Sequence, residues 1–440
     1  MSRFESRRRF LKHAALSGMA LPWALRSARG AAKSAADKVH IACVGVGGKG
    51  WSDMMETSVG NEIVAICDID RDRLDKAAAQ FPKAAKYTDW RKLLEQKEID
   101  AVTVSTPDHT HAPATLSAIE LGKHVFTQKP LTHSVFESRR LAEAAAAKGI
   151  VSQMGIQHHA TARLKMAVQA IHDEIIGKVR EVHVWTDRPG SFWKQGLDRP
   201  AKGDAVPDGV EWDQWLGVAT ARPFVAGMYH PFHWRGWWDF GTGALGDMGC
   251  HIIDPVASAL VLPPPSRIWA EGPPPHAESG PIACKVHYEF RGAEHALPTI
   301  RMTWYEAGEL PDRALFRAPA DWPGSQNGVL FVGEKGNLFV GFPEMPELFP
   351  RETFAGVKLP EAEDHNHYTE WTDAILGKTK TSCPFSYSGP LSETVLLGNV
   401  AYRSGVKLEW DSAALHATNA PDADRFIRRS YRAGYEVAGL

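Results

Sequence analysis

Residues Gly45-Val46-Gly47-Gly48-Lys49-Gly50 follow an apolar run at 39–46 and open a stretch that reads as helix. Few patterns restrict a fold as much. The first glycine permits a tight turn out of a strand, the second allows close approach to backbone, and the third lets helix pack on strand. Free N–H groups and the dipole at the helix start favour phosphate, so the loop implies a bound dinucleotide. Asp68 ends the next apolar run, 62–67, at the spacing of an acid that takes both ribose hydroxyls. A carboxylate there repels a 2′-phosphate and favours NAD, while Arg71 and Arg73 leave room for NADP.

The rest of the chain extends this pattern. From 38 to 157, β-rich runs (39–46, 62–67, 100–105, 124–127, 150–154) alternate with helix-like stretches such as 71–80, 112–121 and 134–148. That alternation predicts a parallel sheet covered on both faces. Beyond it come a helix at 160–175, a strand at 180–187, and an aromatic, Pro- and Gly-rich region to about 246. A helix is expected over 247–260, strands at 268–271, 285–290, 299–305 and 329–340, and helices at 364–376, 391–404 and 422–435. With 440 residues, one core is too few. The expected class is α/β: a Rossmann domain over 38–157, then an α/β (α+β) domain over 158–440 with a large open, mostly antiparallel sheet and a helical tail.

The N-terminal stretch Ser6-Arg7-Arg8-Arg9-Phe10-Leu11-Lys12, the short apolar run 14–25 and the small residues after it read as a twin-arginine signal and spacer over 1–36. The apolar run is shorter than the ~20 residues a membrane span needs. No membrane span is expected in the mature protein. The expectation is export, folded, by the twin-arginine machinery to the periplasm or another extracytoplasmic space. Nicotinamide nucleotide is scarce there, so the cofactor is expected to travel tightly bound. A net charge of −2 without a basic block argues against nucleic acid. Five scattered cysteines form neither a disulfide framework nor a Cys-x-x-Cys zinc pattern.

Two further segments follow the carboxyl ends of strands, where ligands bind in open α/β sheets. They are Thr106-Pro107-Asp108-His109-Thr110-His111 and the run from Gly122 to Gln128-Lys129-Pro130. Thr106, Pro107, His111, Gln128 and Lys129 therefore join Gly45, Gly47, Gly48, Gly50 and Asp68 as candidate cofactor residues. Lys129, before a proline, lies on extended or turning chain and can hold a hydroxyl; on spacing alone a solvated lysine fits as well. Later comes Gly243-Ala244-Leu245-Gly246-Asp247-Met248-Gly249-Cys250-His251. If Asp247 begins a helix, His251 lies one turn on, with Asp254 beside it. A nearby carboxylate can fix a histidine's tautomer and raise its pKa, suiting it to accept a hydroxyl proton. Helix capping by Asp247 and a satisfied buried histidine are the alternatives.

Taken in order, the glycine loop, the T-P-x-x-x-H segment ending at His111, the G-K-H-V run, Lys129-Pro130 and the 243–251 segment resemble the glucose–fructose oxidoreductase / inositol dehydrogenase / MocA (Gfo/Idh/MocA) family. The resemblance covers essentially the whole mature chain. It implies NAD(P)-dependent oxidation or reduction of sugars, inositols and glycosides, and a second domain whose sheet supports substrate binding and homo-oligomers. It also implies Lys129, Asp247 and His251 as the catalytic group: His251 moves the proton, Lys129 polarises the hydroxyl, and Asp247 binds and orients substrate. One residue departs from the family pattern, Gln128 standing where Glu is usual.

Trp185, Arg188, Trp193 and the run His230-Pro231-Phe232-His233-Trp234-Arg235-Gly236-Trp237-Trp238-Asp239 suit a carbohydrate, since aromatic faces stack on sugar C–H surfaces while His, Arg and Asp bond hydroxyls. Gln157, His158, Arg188, His233, Trp234 and Trp238 are the candidate substrate contacts, although any one tryptophan is more often core or interface packing. The His-x-His at 109 and 111 and the His-x-x-His at 230 and 233 lack a third ligand, and no metal is assigned. The expected function is an exported NAD(P)-dependent oxidoreductase acting on a sugar, polyol or glycoside. Two alternatives stand beside it: an NAD-recycling glycoside hydrolase that oxidises, eliminates, hydrates and re-reduces, and a non-enzymatic nucleotide- or sugar-binding protein.

Overall fold

The structure, a computed structural model, describes residues 38–440. The expected leader lies outside the described residues. Strands β1 (His40–Val44), β2 (Glu62–Cys67), β3 (Ala85–Tyr87), β4 (Ala101–Val104), β5 (His124–Gln128) and β6 (Ser152–Gly155) form one sheet. Its order is β3-β2-β1-β4-β5-β6, with every pairing parallel. Every residue of β4 is buried, as a strand covered on both faces requires. Helices α1 (Lys49–Thr57), α2 (Arg71–Gln80), α3 (Asp108–Glu120) and α4 (Val135–Lys148) connect these strands. Local chemistry sets their ends: Asp70 caps α2, a Ser134–Glu137 capping box starts α4, and left-handed Gly149 stops it. The order reverses between β1 and β4, which opens a crevice at the strand ends.

After α5 (Ala162–His172) the chain builds a nine-stranded mixed sheet. Its strands are β7 (Val179–Trp185), β8 (Arg267–Glu271), β9 (Lys285–Arg291), β10 (Ala296–Tyr305), β11 (Gly328–Gly333), β12 (Asn337–Gly341), β13 (Glu347–Phe349), β14 (Leu408–Asp411) and β15 (His416–Ala417). Only the β7–β10 pairing is parallel. The single strand expected at 329–340 is a hairpin, because Gly336 and its neighbours turn the chain between β11 and β12.

The helix expected at 247–260 is two: α6 (Gly243–Ile252) and α7 (Asp254–Leu260). Pro255, in the first turn of α7, has no N–H to continue the ladder. Because α6 starts at Gly243, Asp247 is inside the helix and does not cap it. Helices α8 (His367–Ile375) and α9 (Phe385–Ser404) follow, and α9 packs between α4, α6 and the large sheet. The helix expected at 422–435 is a short 3₁₀ turn at Pro421–Phe426, after which the chain runs back over the first domain. There Tyr431 Oη donates to Glu137, and Arg432 bonds Asp213 and Gly217 of the aromatic region. The aromatic region forms its own core of Trp215, Tyr229, Trp234, Trp237 and Phe240, against which Ile69 of the Rossmann domain packs.

Candidate active site

A cleft of about 610 Å³ runs along the carboxyl ends of the parallel strands, and the aromatic region forms its opposite wall. Gly45 has φ +81°, and a Cβ there would lie 2.7 Å from the Ser105 carbonyl oxygen. A Cβ on Gly50 would collide with the Gly45 carbonyl, and one on Gly47 with the Arg73 side chain. The loop is thus shaped by the absence of side chains, a cradle that suits a pyrophosphate. Asp68 is buried at the end of β2; its carboxylate accepts from Val46 N at 2.9 Å and Asp70 N at 3.1 Å. Burial pushes its pKa up, against the two backbone donors and Arg73. Gly45, Gly47, Gly48, Asp68, Thr106, Pro107, Gln128 and Lys129 all line the cleft. Gly50 and His111 do not: Gly50 lies under the turn, and the ring nitrogens of His111 sit 2.8 Å from Pro130 O and Thr106 O, tying two cleft loops together.

Lys129, Asp247 and His251 meet at one end of this cleft. Lys129 Nζ donates to the Asp247 backbone oxygen at 2.5 Å and to Oδ1 at 3.0 Å, and Arg235 Nε reaches the same Oδ1 at 3.1 Å. Burial alone would raise the Asp247 pKa, but the two cations outweigh it and hold the carboxyl well below its usual range. His251 was expected to have a raised pKa. Instead burial, then the Lys129 charge, push it well below the usual imidazole value, so the ring is neutral. Asp247 turns to Lys129 and Arg235, and Asp254 is engaged elsewhere, 2.9 Å from His159 Nδ1 and 2.5 Å from Tyr387 Oη. His251 Nδ1 is buried with no hydrogen-bond partner among the described residues, and the His158 ring meets it edge-on at 5.4 Å.

Of the candidate substrate contacts, Gln157 and Trp234 line the cleft, and His158 lines a small hollow that shares His251 with it. Arg188, His233 and Trp238 line neither. Arg188 bonds Asp187 at 2.5 Å and lies over Phe192, and buried Trp238 donates to the His276 carbonyl at 3.0 Å. His233 is half-buried with its ring edge-on to Phe232. Two cleft residues escaped the sequence reading. Arg235 shares Asp247, and Asp108, buried and bonded by Thr242 Oγ1 at 2.6 Å, has its pKa pushed up to about 7 by burial. Both sat inside quoted segments, but their roles depend on partners that spacing does not reveal. Among the described residues, no three His, Cys, Asp or Glu side chains are grouped to hold a metal ion. His109 faces Phe240 O and Trp215 O, and His230 bonds Asp70. No helix among the described residues is long and apolar enough to cross a membrane.

Residues 39–156 match the sequence profile of the Gfo/Idh/MocA oxidoreductase family's NAD-binding Rossmann fold, and 163–294 match that of its C-terminal alpha/beta domain. A levoglucosan dehydrogenase of Pseudarthrobacter phenanthrenivorans is 26% identical over 182 residues, 41% of this chain and 37% of that protein. A glycosyl hydrolase family 109 protein of Shewanella sp. (strain ANA-3) is 36% identical over 118 residues, 24% of this chain and 26% of its own. These matches therefore span well under half of either relative. The solved structure of the WlbA dehydrogenase from Chromobacterium violaceum, in complex with NADH and UDP-GlcNAcA, superposes with a TM-score of 0.60 at 17% identity, over 86% of this chain and 98% of that one. At that identity the likeness is one of fold. The two profile matches together cover more than half the chain, and with the cleft geometry they make it a member of the Gfo/Idh/MocA oxidoreductase family.

Proposed function

We propose that this protein is an exported NAD(P)-dependent oxidoreductase that moves hydride between nicotinamide and a hydroxyl-bearing carbon of a sugar, polyol or glycoside, with NAD the favoured cofactor. The reading rests on Lys129, Asp247 and His251 lining the same cleft as the glycine loop and Asp68. The residues fit the nucleotide: Gly45, Gly47 and Gly48 leave space for the pyrophosphate, and Asp68 waits at the ribose position. When bound, the nicotinamide supplies the hydride acceptor. The chain manages the proton. Lys129 holds the hydroxyl oxygen and favours its ionised form. His251, half-buried in the cleft wall and neutral, takes the proton released. Asp247 fixes Lys129 and Arg235 at the cleft wall and balances their charge. A sugar substrate agrees with the relative named for levoglucosan and with the fold's likeness to a structure holding UDP-GlcNAcA.

The leader at 1–36 supports export by the twin-arginine machinery to an extracytoplasmic space. Tight retention of the cofactor is favoured by the aromatic region, which folds over the nucleotide end. Arg71 N donates to Gly209 O at 2.9 Å, and Glu211 N to Ile69 O at 2.9 Å. A homo-oligomer would form across the polar face of the large sheet, which carries Glu181, His183, His287 and Arg301 on the side away from the helices. A second reading, the self-recycling glycosidase, is favoured by the family 109 relative and by the His158–His251 pair.

Nicotinamide absorbance of the purified protein, before and after adding sugars and aryl glycosides with products followed in parallel, separates these readings. Lasting reduction until an acceptor arrives supports the oxidoreductase. Aglycone release without lasting reduction supports the glycosidase. Neither nucleotide nor product overturns both.

A further inference from the structure

Beneath the glycine loop lies a second polar cluster, which the proton chemistry above does not use. Asp53, on α1 one turn after Lys49, is 0% exposed. Its Oδ1 accepts from Lys49 Nζ and from Tyr368 Oη at 3.0 Å; its Oδ2 accepts from Ser105 Oγ at 2.7 Å and Gln128 Nε2 at 2.9 Å. The donors come from the glycine-loop helix, the residue after β4, the end of β5 and α8 in the other half of the chain. The Gln157 amide oxygen closes the ring, accepting from Gln128 Nε2 at 3.2 Å and Lys49 Nζ at 3.0 Å. With Tyr368 Oη 2.6 Å away, all three N–H donors of Lys49 are used. Both amide hydrogens of Gln128 are used too, and the next residue is Lys129.

We propose that Asp53 is a positioning residue for the cofactor cleft, and that Asp53 and Gln128 form an acceptor–donor pair whose chemistry can be exchanged. The inference rests on the reading that the cleft holds NAD. Two of the four donors around Asp53 lose their acceptor and face an N–H group instead when the carboxylate becomes an amide, because an amide keeps one acceptor atom and adds two donor hydrogens. A glutamate at 128 would set a second carboxylate within hydrogen-bond distance of the first in a buried site, where one of them must take up a proton. Making both changes restores one carboxylate and one amide to the same space. Loop, Lys129 and Tyr368 are then tied together again.

The test uses the full chain with Asp53→Asn, Gln128→Glu and the double variant, each titrated with NAD⁺ by calorimetry across the neutral pH range, with unfolding temperatures alongside. Each single variant weakens NAD⁺ by about tenfold, the equivalent of one well-placed buried hydrogen bond. The double variant recovers to within about threefold of wild type. Gln128→Glu alone also gains a pH dependence, binding better as pH falls and its carboxylates share a proton. Tyr368→Phe removes one donor at neutral charge and weakens NAD⁺ by about threefold, which serves if the charged variants do not fold. Single variants that bind like wild type, a double variant whose loss is the sum of the two, or Tyr368→Phe binding unchanged would each overturn the proposal. Wild type failing to bind NAD⁺ would overturn it together with the proposed function.

Discussion

His109 is buried and His251 half-buried, and both are neutral, but only His251 faces the cleft. A neutral imidazole in the cleft can accept a proton. His251→Ala should therefore lower turnover by about 10²- to 10⁴-fold while NAD⁺ affinity holds, read by steady-state kinetics beside a binding titration; an unchanged rate would remove His251 from the chemistry. His109, whose ring contacts are backbone oxygens, acts on stability instead. Burial lowers its pKa to about 3, so below the ordinary value of 6.5 the unfolded chain takes up a proton that the folded ring refuses. Its contribution is present above that value and is lost as pH falls toward the folded one. Denaturant unfolding at pH 7 and pH 5 should show His109→Gln losing roughly 2 kcal/mol less than wild type over that interval. At this scale the family resemblance, rather than spacing, put Lys129, Asp247 and His251 in one group, and the three line one cleft. The resemblance did not reveal that Asp247 faces two cations, nor that Asp108 is desolvated beside them, because both depend on residues distant in the chain.

Elements were legible where local sterics decide them. The turn after β1 needs Gly45 and Gly50 for reasons any reader of the sequence can state, and α2 begins at its own capping aspartate. Gly50→Ala should accordingly abolish NAD⁺ binding and lower the unfolding midpoint, since the new methyl meets the Gly45 carbonyl and backbone cannot move aside cheaply; a thermal melt with and without NAD⁺ reads both effects. Elements were misread where a distant partner decides. The stretch at 422–435 carries helix-compatible residues, yet Tyr431 and Arg432 find better partners on Glu137 and Asp213 by staying extended. The strands β13 to β15 are too short to show a period, and they exist because a neighbouring edge is there to pair with.

At the scale of the whole molecule, the second half of the chain closes what the first half opens. The aromatic region bonds the β2–α2 turn, and Arg432 clasps Asp213 and the Gly217 carbonyl from the outside. Weakening that clasp with Arg432→Ala should speed release of bound NADH several-fold without altering its on-rate, measured by stopped-flow displacement; an unchanged release rate would assign the clasp to stability alone. The same architecture has a consequence for biosynthesis. Tyr368 reaches Asp53 from a helix made long after β6 has left the ribosome. A nascent Rossmann domain, although it already holds every glycine of its loop, therefore lacks one of the donors that fix α1. Completion of the cofactor seat thus reports that the polypeptide has been translated through α8 and has docked it.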